Sequence, residues 1–229
     1  SPADAVIFSF PVVWDTVDFD IVDGKHVNLE SAVKQLERYK LMMDNYVDHN
    51  CSVRPHWPLV NQALRGALAG ADGCLAAVGT GSFFCSQNAG VTRSIGGWGF
   101  SVGDDGSGAG LGQDLLRRVL HCHDGIEHHS DLTRSVLQAF DDNPAALSTF
   151  ALSASPHDFG CYAPQVIKAA DAGDPQGIDL RTATVQAIQS ELDAVGFTGQ
   201  QPLCMCGGLG QAVSGVLDPA YRDSLVRPR

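Results

Sequence analysis

Gly96-Gly97-Trp98-Gly99-Phe100-Ser101-Val102-Gly103-Asp104-Asp105-Gly106-Ser107-Gly108 is the stretch on which the reading of this chain turns. Glycines bracket an indole and an acidic pair, and a helix-like run follows with Leu111, Leu115, Leu116, Val119 and Leu120 on one face. Glycine reaches dihedrals closed to other residues and leaves no side chain in the way, so such loops let the backbone approach phosphate and sugar closely. Upstream, the apolar run Cys74-Leu75-Ala76-Ala77-Val78 leads into Gly79-Thr80-Gly81-Ser82, and Phe83 to Ser86 reads as the second arm of a hairpin. The N–H groups of that turn, with the Thr80 and Ser82 hydroxyls, are donors suited to the terminal phosphates of a nucleotide. The same residues also make a plain turn. Neither loop carries the lysine of a P-loop.

An indole face gives a sugar ring something flat to stack on, and the Asp104 carboxylate can accept bonds from two adjacent hydroxyls. The plainer reading of Gly97-Trp98-Gly99 is a core tryptophan beside a charged turn. Further on, Pro202-Leu203-Cys204-Met205-Cys206 reads as a buried strand, and Gly207-Gly208 opens a helix after it. That junction suits an adenosine or a phosphate, or serves as a strand-to-helix turn with no ligand. Cys204-x-Cys206-Gly207 has Gln211 near the place where a zinc loop would need another cysteine, so no metal is assigned. His121, Cys122, His123, Asp124, His128 and His129 crowd together at a spacing that gives no tetrahedral set and read as a solvated loop.

The chain of 229 residues has 44% apolar and 18% charged residues, enough for one large or two small domains. A net charge of −11 argues against nucleic acid and acidic membrane surfaces as partners. It does not exclude a nucleotide, because glycine loops and helix N-termini hold phosphates without net basic charge. No apolar run approaches a membrane span and no secretory pattern opens the sequence, so the expectation is a soluble, cytoplasmic protein with no membrane partner. Seven scattered cysteines in a chain of this size read as reduced thiols.

Ala5 to Phe10 reads as a strand, Asn28 caps a long helix to about Asn50, residues 52–60 form a weak strand, and a short helix runs from Gln62 to about Ala69. Asn143-Pro144, Ser155-Pro156, Asp174-Pro175 and Asp218-Pro219 are helix starts with a mechanism, an acceptor at the cap followed by proline in the first turn.

In this order, the residues from about Leu59 onward resemble the N-acetylglucosamine kinase and BadF/BadG/BcrA/BcrD-type ATPase family, a branch of the actin-like, sugar kinase and Hsp70 superfamily. The resemblance is carried by Gly96 to Leu111, by Gly79-Thr80-Gly81-Ser82, by Phe159 to Pro175 and by Gly207-Gly208. It implies an α/β protein of ribonuclease H-like domains with a cleft between them. Residues 1–70 would be a remnant of the first domain, and 71–229 the second with a helical insertion. It implies an ATP-dependent kinase of N-acetylglucosamine or glucosamine, with Mg2+ carried by ATP and water, and it allows a homodimer. By the same resemblance Gly79, Thr80, Gly81 and Ser82 hold phosphates, Gly207 and Gly208 line the adenosine, and Gly97, Trp98 and Asp104 bind the sugar. Two departures stand out. The family's opening Asp-Gly-Gly-Gly-Thr hairpin has no counterpart here, and Gln62 occupies the place of the catalytic aspartate. Glutamine can hydrogen-bond a sugar hydroxyl but cannot take its proton. Two other readings stay open: a non-catalytic sugar- or nucleotide-binding member, and an ATPase activator of a dehydratase.

Overall fold

A computed structural model of the chain describes residues 64, 67, 68 and 70–227. The expected strand at Ala5–Phe10, the helix from Asn28, the strand over 52–60 and Gln62 lie outside the described residues. Leu64, Ala67 and Leu68 are helical, in line with the short helix expected there.

Four strands form one mixed sheet: β1 (Gly73–Val78), β2 (Ser82–Asn88), β3 (Val91–Gly96) and β4 (Leu203–Cys206), in the order β3-β2-β1-β4. β1 and β2 are antiparallel, with Gly73 opposite Gln87 and Val78 opposite Ser82. β2 and β3 continue the antiparallel meander, with Phe83 opposite Gly96. β4 lies parallel to β1, Cys74 facing Leu203 and Ala77 facing Cys206. β1 is central and covered on both faces, which is why its sequence is continuously apolar instead of alternating. The period of two still sorts its side chains. Cys74, Ala76 and Val78 join the larger core beneath the helices, whereas Leu75 packs with Leu64, Leu68, Phe83, Cys85, Cys204 and Cys206 on the other face.

The sequence reading assigns no strand to Val91–Gly96. β3 is an edge strand whose residues are exposed or half-buried, so Val91-Thr92-Arg93-Ser94-Ile95 gives only a weak apolar signal. Between β3 and β4 the chain is helical: α1 (Gly108–His123), α2 (Asp131–Gln138), α3 (Pro144–Ser153), α4 (Pro156–Gly160), α5 (Ala163–Asp171) and α6 (Pro175–Val195). After β4 come α7 (Gly208–Val213), a short 3-10 turn and α8 (Pro219–Arg222). All four proline starts fall where the sequence puts them. The Asn143, Ser155 and Asp174 side chains each accept from first-turn N–H groups. α2 begins instead on a reciprocal cap between Ser130 and Thr133.

α1 and α6 deliver Leu115, Val119, Ile188 and Leu192 into the main core, each fully or almost fully buried. Side chains of this size contribute roughly 1.5–3 kcal/mol apiece on burial. Two very close approaches fix how the helices sit. A β-carbon at Gly112 of α1 would stand 1.9 Å from the Phe159 carbonyl oxygen of α4, and one at Gly177 of α6 would stand 2.8 Å from the Ala170 nitrogen of α5.

Candidate functional site

The strand directions decide where the glycine loops go. Because β4 runs with β1 and the β1–β2–β3 meander alternates, β1, β3 and β4 end, and β2 begins, at one end of the sheet. Gly79-Thr80-Gly81, Gly97 and Gly207-Gly208 therefore meet there. In open α/β sheets, ligands bind outside the carboxyl ends of the parallel strands.

Direct contacts join these loops. The first N–H groups of α1 donate to the β1–β2 turn, Gly108 to the Gly79 carbonyl at 2.8 Å and Ala109 to the Thr80 carbonyl at 2.9 Å. Two donors that every helix start must satisfy are thus used to hold the turn in place. Gly79 donates to the Gly81 carbonyl at 2.9 Å, closing the turn on itself. Gly97 donates to the Ser82 carbonyl at 3.2 Å, which ties the end of β3 to the start of β2. On the other side, Gly207 has φ +87°, and a β-carbon there would stand 2.3 Å from the Val78 carbonyl oxygen. Only glycine lets β4 turn into α7 this close to the end of β1.

Ser82 is buried, and its hydroxyl donates to the Asp105 carbonyl at 2.7 Å. The hydroxyl hydrogen is committed to that bond, so Ser82 braces the β1–β2 turn against the acidic loop. Asp104 and Asp105 part company: Asp104 is only 3% exposed, whereas Asp105 faces solvent. Asp104 has φ +61°, a left-handed conformation that aspartate tolerates better than most residues. Its carbonyl accepts from the Ser107 N–H at 3.0 Å, and the Ser107 side chain caps α1 by accepting from Gly110. α6 underpins the loop, where a β-carbon at Gly106 would stand 2.7 Å from Ile188. Glu191 of α6 has its carboxyl pushed up from the ordinary value, first by burial and then by the Asp105 charge.

Trp98 is 47% exposed, so it is not a core tryptophan. Phe100, two residues on, turns inward and packs tilted against Phe159 with ring centroids 5.1 Å apart. Phe159 also meets Phe150 edge-on, so the glycine-tryptophan loop is anchored to α3 and α4.

The histidine-rich segment is not part of this assembly. α1 carries the glycine loops at its start and His121 and His123 in its last turn, separated by the helix length of roughly 20 Å. There His121 faces Glu127 at 3.4 Å, His123 faces Asp124 at 3.1 Å, and His129 meets the Thr133 hydroxyl at 3.1 Å. Burial and the Arg134 charge hold the His129 imidazole below its usual value. Among the described residues no three His, Cys, Asp or Glu side chains come together as a metal site. Cys204 and Cys206, on one face of β4, bring their sulfurs to 3.8 Å, and both are buried.

The glycine turns of three strand termini thus gather at one sheet end beside the N-terminus of α1, the end at which open α/β sheets bind ligands. The chain belongs to the BadF/BadG/BcrA/BcrD ATPase family, whose family model matches residues 61–218. It is 31% identical over 167 residues to a glucosamine kinase of Vibrio cholerae, covering 73% of this chain and 57% of that protein. It is 27% identical over 216 residues to an N-acetyl-D-glucosamine kinase of Dictyostelium discoideum, covering 86% of this chain and 67% of that one. Among solved structures, a provisionally named N-acetylglucosamine kinase of Chromobacterium violaceum superposes with a TM-score of 0.66 at 36% identity, over 72% of this chain and 58% of that one. A Porphyromonas gingivalis structure, at 19% identity and a TM-score of 0.56, shares the fold over 72% of this chain and 59% of its own. The chain thus spans a little over half the length of the Vibrio and Chromobacterium proteins.

Proposed function

We propose that this chain carries the nucleotide and sugar loops of an ATP-dependent kinase acting on glucosamine or N-acetylglucosamine. The observation that carries the reading is the meeting of Gly79-Thr80-Gly81, Gly97 and Gly207-Gly208 at one sheet end. The names of the Vibrio and Dictyostelium relatives supply the amino-sugar class. In this reading the Thr80 and Gly81 N–H groups and the Thr80 hydroxyl hold the β- and γ-phosphates, while Ser82 braces the turn from behind. Gly207 and Gly208 line the adenosine. Gly97 and Trp98 shape the sugar pocket, and Asp104 accepts bonds from sugar hydroxyls. Burial keeps competing water away from that carboxylate, which strengthens each hydroxyl bond it accepts. We also infer that the β1–β2–β3 meander with parallel β4 is the second of the ribonuclease H-like domains.

The reaction breaks the bond between the γ-phosphorus of ATP and its bridging oxygen, forms a P–O bond to a sugar hydroxyl, releases ADP and passes the hydroxyl proton to solvent. Such transfer depends mainly on positioning and charge stabilisation. Gln62 can orient the hydroxyl but cannot accept its proton. Mg2+ would enter this reading with ATP, where it would offset the phosphate charge.

The test is ADP release with Mg-ATP and a panel of amino sugars, in the unsubstituted chain and in Gln62→Asp. Sugar-dependent release in either supports the kinase. Sugar binding with no release in both favours the second reading, a non-catalytic binding member, for which the Gln62 amide is the specific argument.

A further inference from the structure

We propose that Gly160, the last residue of α4, is a positioning residue that sets the rotamer of Thr80 in the phosphate turn. It makes no contact of its own with a ligand. The inference rests on the reading of Thr80 as a phosphate donor and adds a residue from a distant helix to it.

The geometry is specific. A β-carbon built at Gly160 would stand 3.3 Å from Thr80 Cγ2 and 3.6 Å from Thr80 Oγ1, with the Ala109 nitrogen next at 3.8 Å. The bare face of Gly160 is therefore turned towards the threonine side chain. Gly160 is helical and does not occupy the left-handed region, so its backbone alone would accept alanine. What glycine provides at this position is space.

That space matters because threonine is stiff. Cγ2 and Oγ1 hang from the same β-carbon, and a β-branched side chain has a single torsion with few allowed wells. A neighbour that presses on the methyl must swing the hydroxyl as well. The turn cannot drift away to relieve the contact, because the Gly79 and Thr80 carbonyls are bound to the first two N–H groups of α1. Nor can α4 retreat freely. Its Phe159 carbonyl lies against Gly112, its Phe159 ring packs against Phe100, and Ser155 and Asp158 cap its start reciprocally. Strain at residue 160 thus falls on the Thr80 torsion.

The experiment is a double-mutant cycle on the 229-residue chain with Gly160→Ala, Thr80→Ser and both. Serine keeps the hydroxyl and removes the methyl. Binding of Mg-ATP is followed by calorimetry, and thermal unfolding is followed without ligand. Gly160→Ala should weaken ATP binding about tenfold when Thr80 is intact and less than twofold in the Thr80→Ser background, a coupling expected only of residues in contact. The melting temperatures should show the same pattern, lowered by alanine when Thr80 is intact and restored once the methyl is removed.

Equal effects of alanine in both backgrounds, or none in either, overturn the positioning role while leaving nucleotide binding by the chain intact. If the melting temperatures couple but the unsubstituted chain binds no ATP, the kinase reading fails and takes the proposed role of Gly160 with it.

Discussion

Gly112 and Phe159 approach so closely that a β-carbon on the first would stand 1.9 Å from the carbonyl oxygen of the second. α1 and α4 therefore meet backbone to side-chain-free backbone, and this contact places the Phe159 ring under Phe100 of the glycine-tryptophan loop.

Gly112→Ala should accordingly cost about 3 kcal/mol or more, the upper range for overpacking a well-filled site. Backbone cannot give way like a flexible side chain. Urea unfolding measures the loss, and a change below about 1 kcal/mol would show that α4 can slide off α1 without penalty.

Gly207→Ala faces both a left-handed dihedral, φ +87°, and a carbonyl oxygen 2.3 Å from the new methyl. We expect loss of ATP binding with at least about 2 kcal/mol of destabilisation from the dihedral and the contact together. Calorimetric titration of ATP into the folded fraction checks it. Retention of full affinity would remove Gly207 from the nucleotide side of the site.

Asp104→Ala should abolish sugar binding and spare nucleotide binding. Asp104 and the Gly207-Gly208 junction belong to different loops, and the Ser82–Asp105 bond, a backbone acceptor, survives the substitution. Titrations with N-acetylglucosamine and with ATP separate the two. Equal loss of both would mean that Asp104 holds the loop together and does not bind sugar.

Glu191 offers a pH test whose sign is fixed by its environment. Burial and the Asp105 charge raise its carboxyl above the ordinary 4.5, so the folded chain holds that proton more tightly than the unfolded one. Stability from this group is full below 4.5 and is lost as pH rises through the folded value. Glu191→Gln should therefore raise the melting temperature at pH 7, and the gain should vanish below pH 4.5. An equal gain at both pH values would point to packing instead of charge.

The parts of this molecule that were legible in the sequence are those whose signal is local. β1 and β4 are short continuous apolar runs, and Asn143, Ser155 and Asp174 announce their helices by cap chemistry followed by proline. The glycine turns are local as well, so Gly79, Gly97 and Gly207 could be picked out in advance. β3 was not legible, because an edge strand with half-exposed side chains needs no continuous apolar run. α2 was missed because Thr133 takes the place in the reciprocal cap where Glu or Gln gives the recognisable signature. Ser82 shows a different limit. Its hydroxyl reads as a phosphate donor, but its partner is the Asp105 carbonyl, 23 residues away in sequence. Gly112 and Gly160 carry no local signal at all. Each is glycine because of what another helix or turn places opposite it, and only the folded arrangement shows that.

The parallel pairing of β1 with β4 bears on how the molecule comes together in time. The β1–β2–β3 meander closes through tight turns, and the Gly79–Gly81 turn forms with it. Cys74 can meet Leu203 only after the chain has passed through α1 to α6, a far longer loop to close. The Gly79–Gly81 turn thus rests on local contacts, whereas the Gly207-Gly208 junction reaches its place only when that long loop closes. The register of β4 on β1 is short, so its release would undo the Gly207-Gly208 junction without breaking any pair of the meander. A nucleotide bound as proposed, touching both loops, would act as the clasp that the sheet edge itself supplies only weakly.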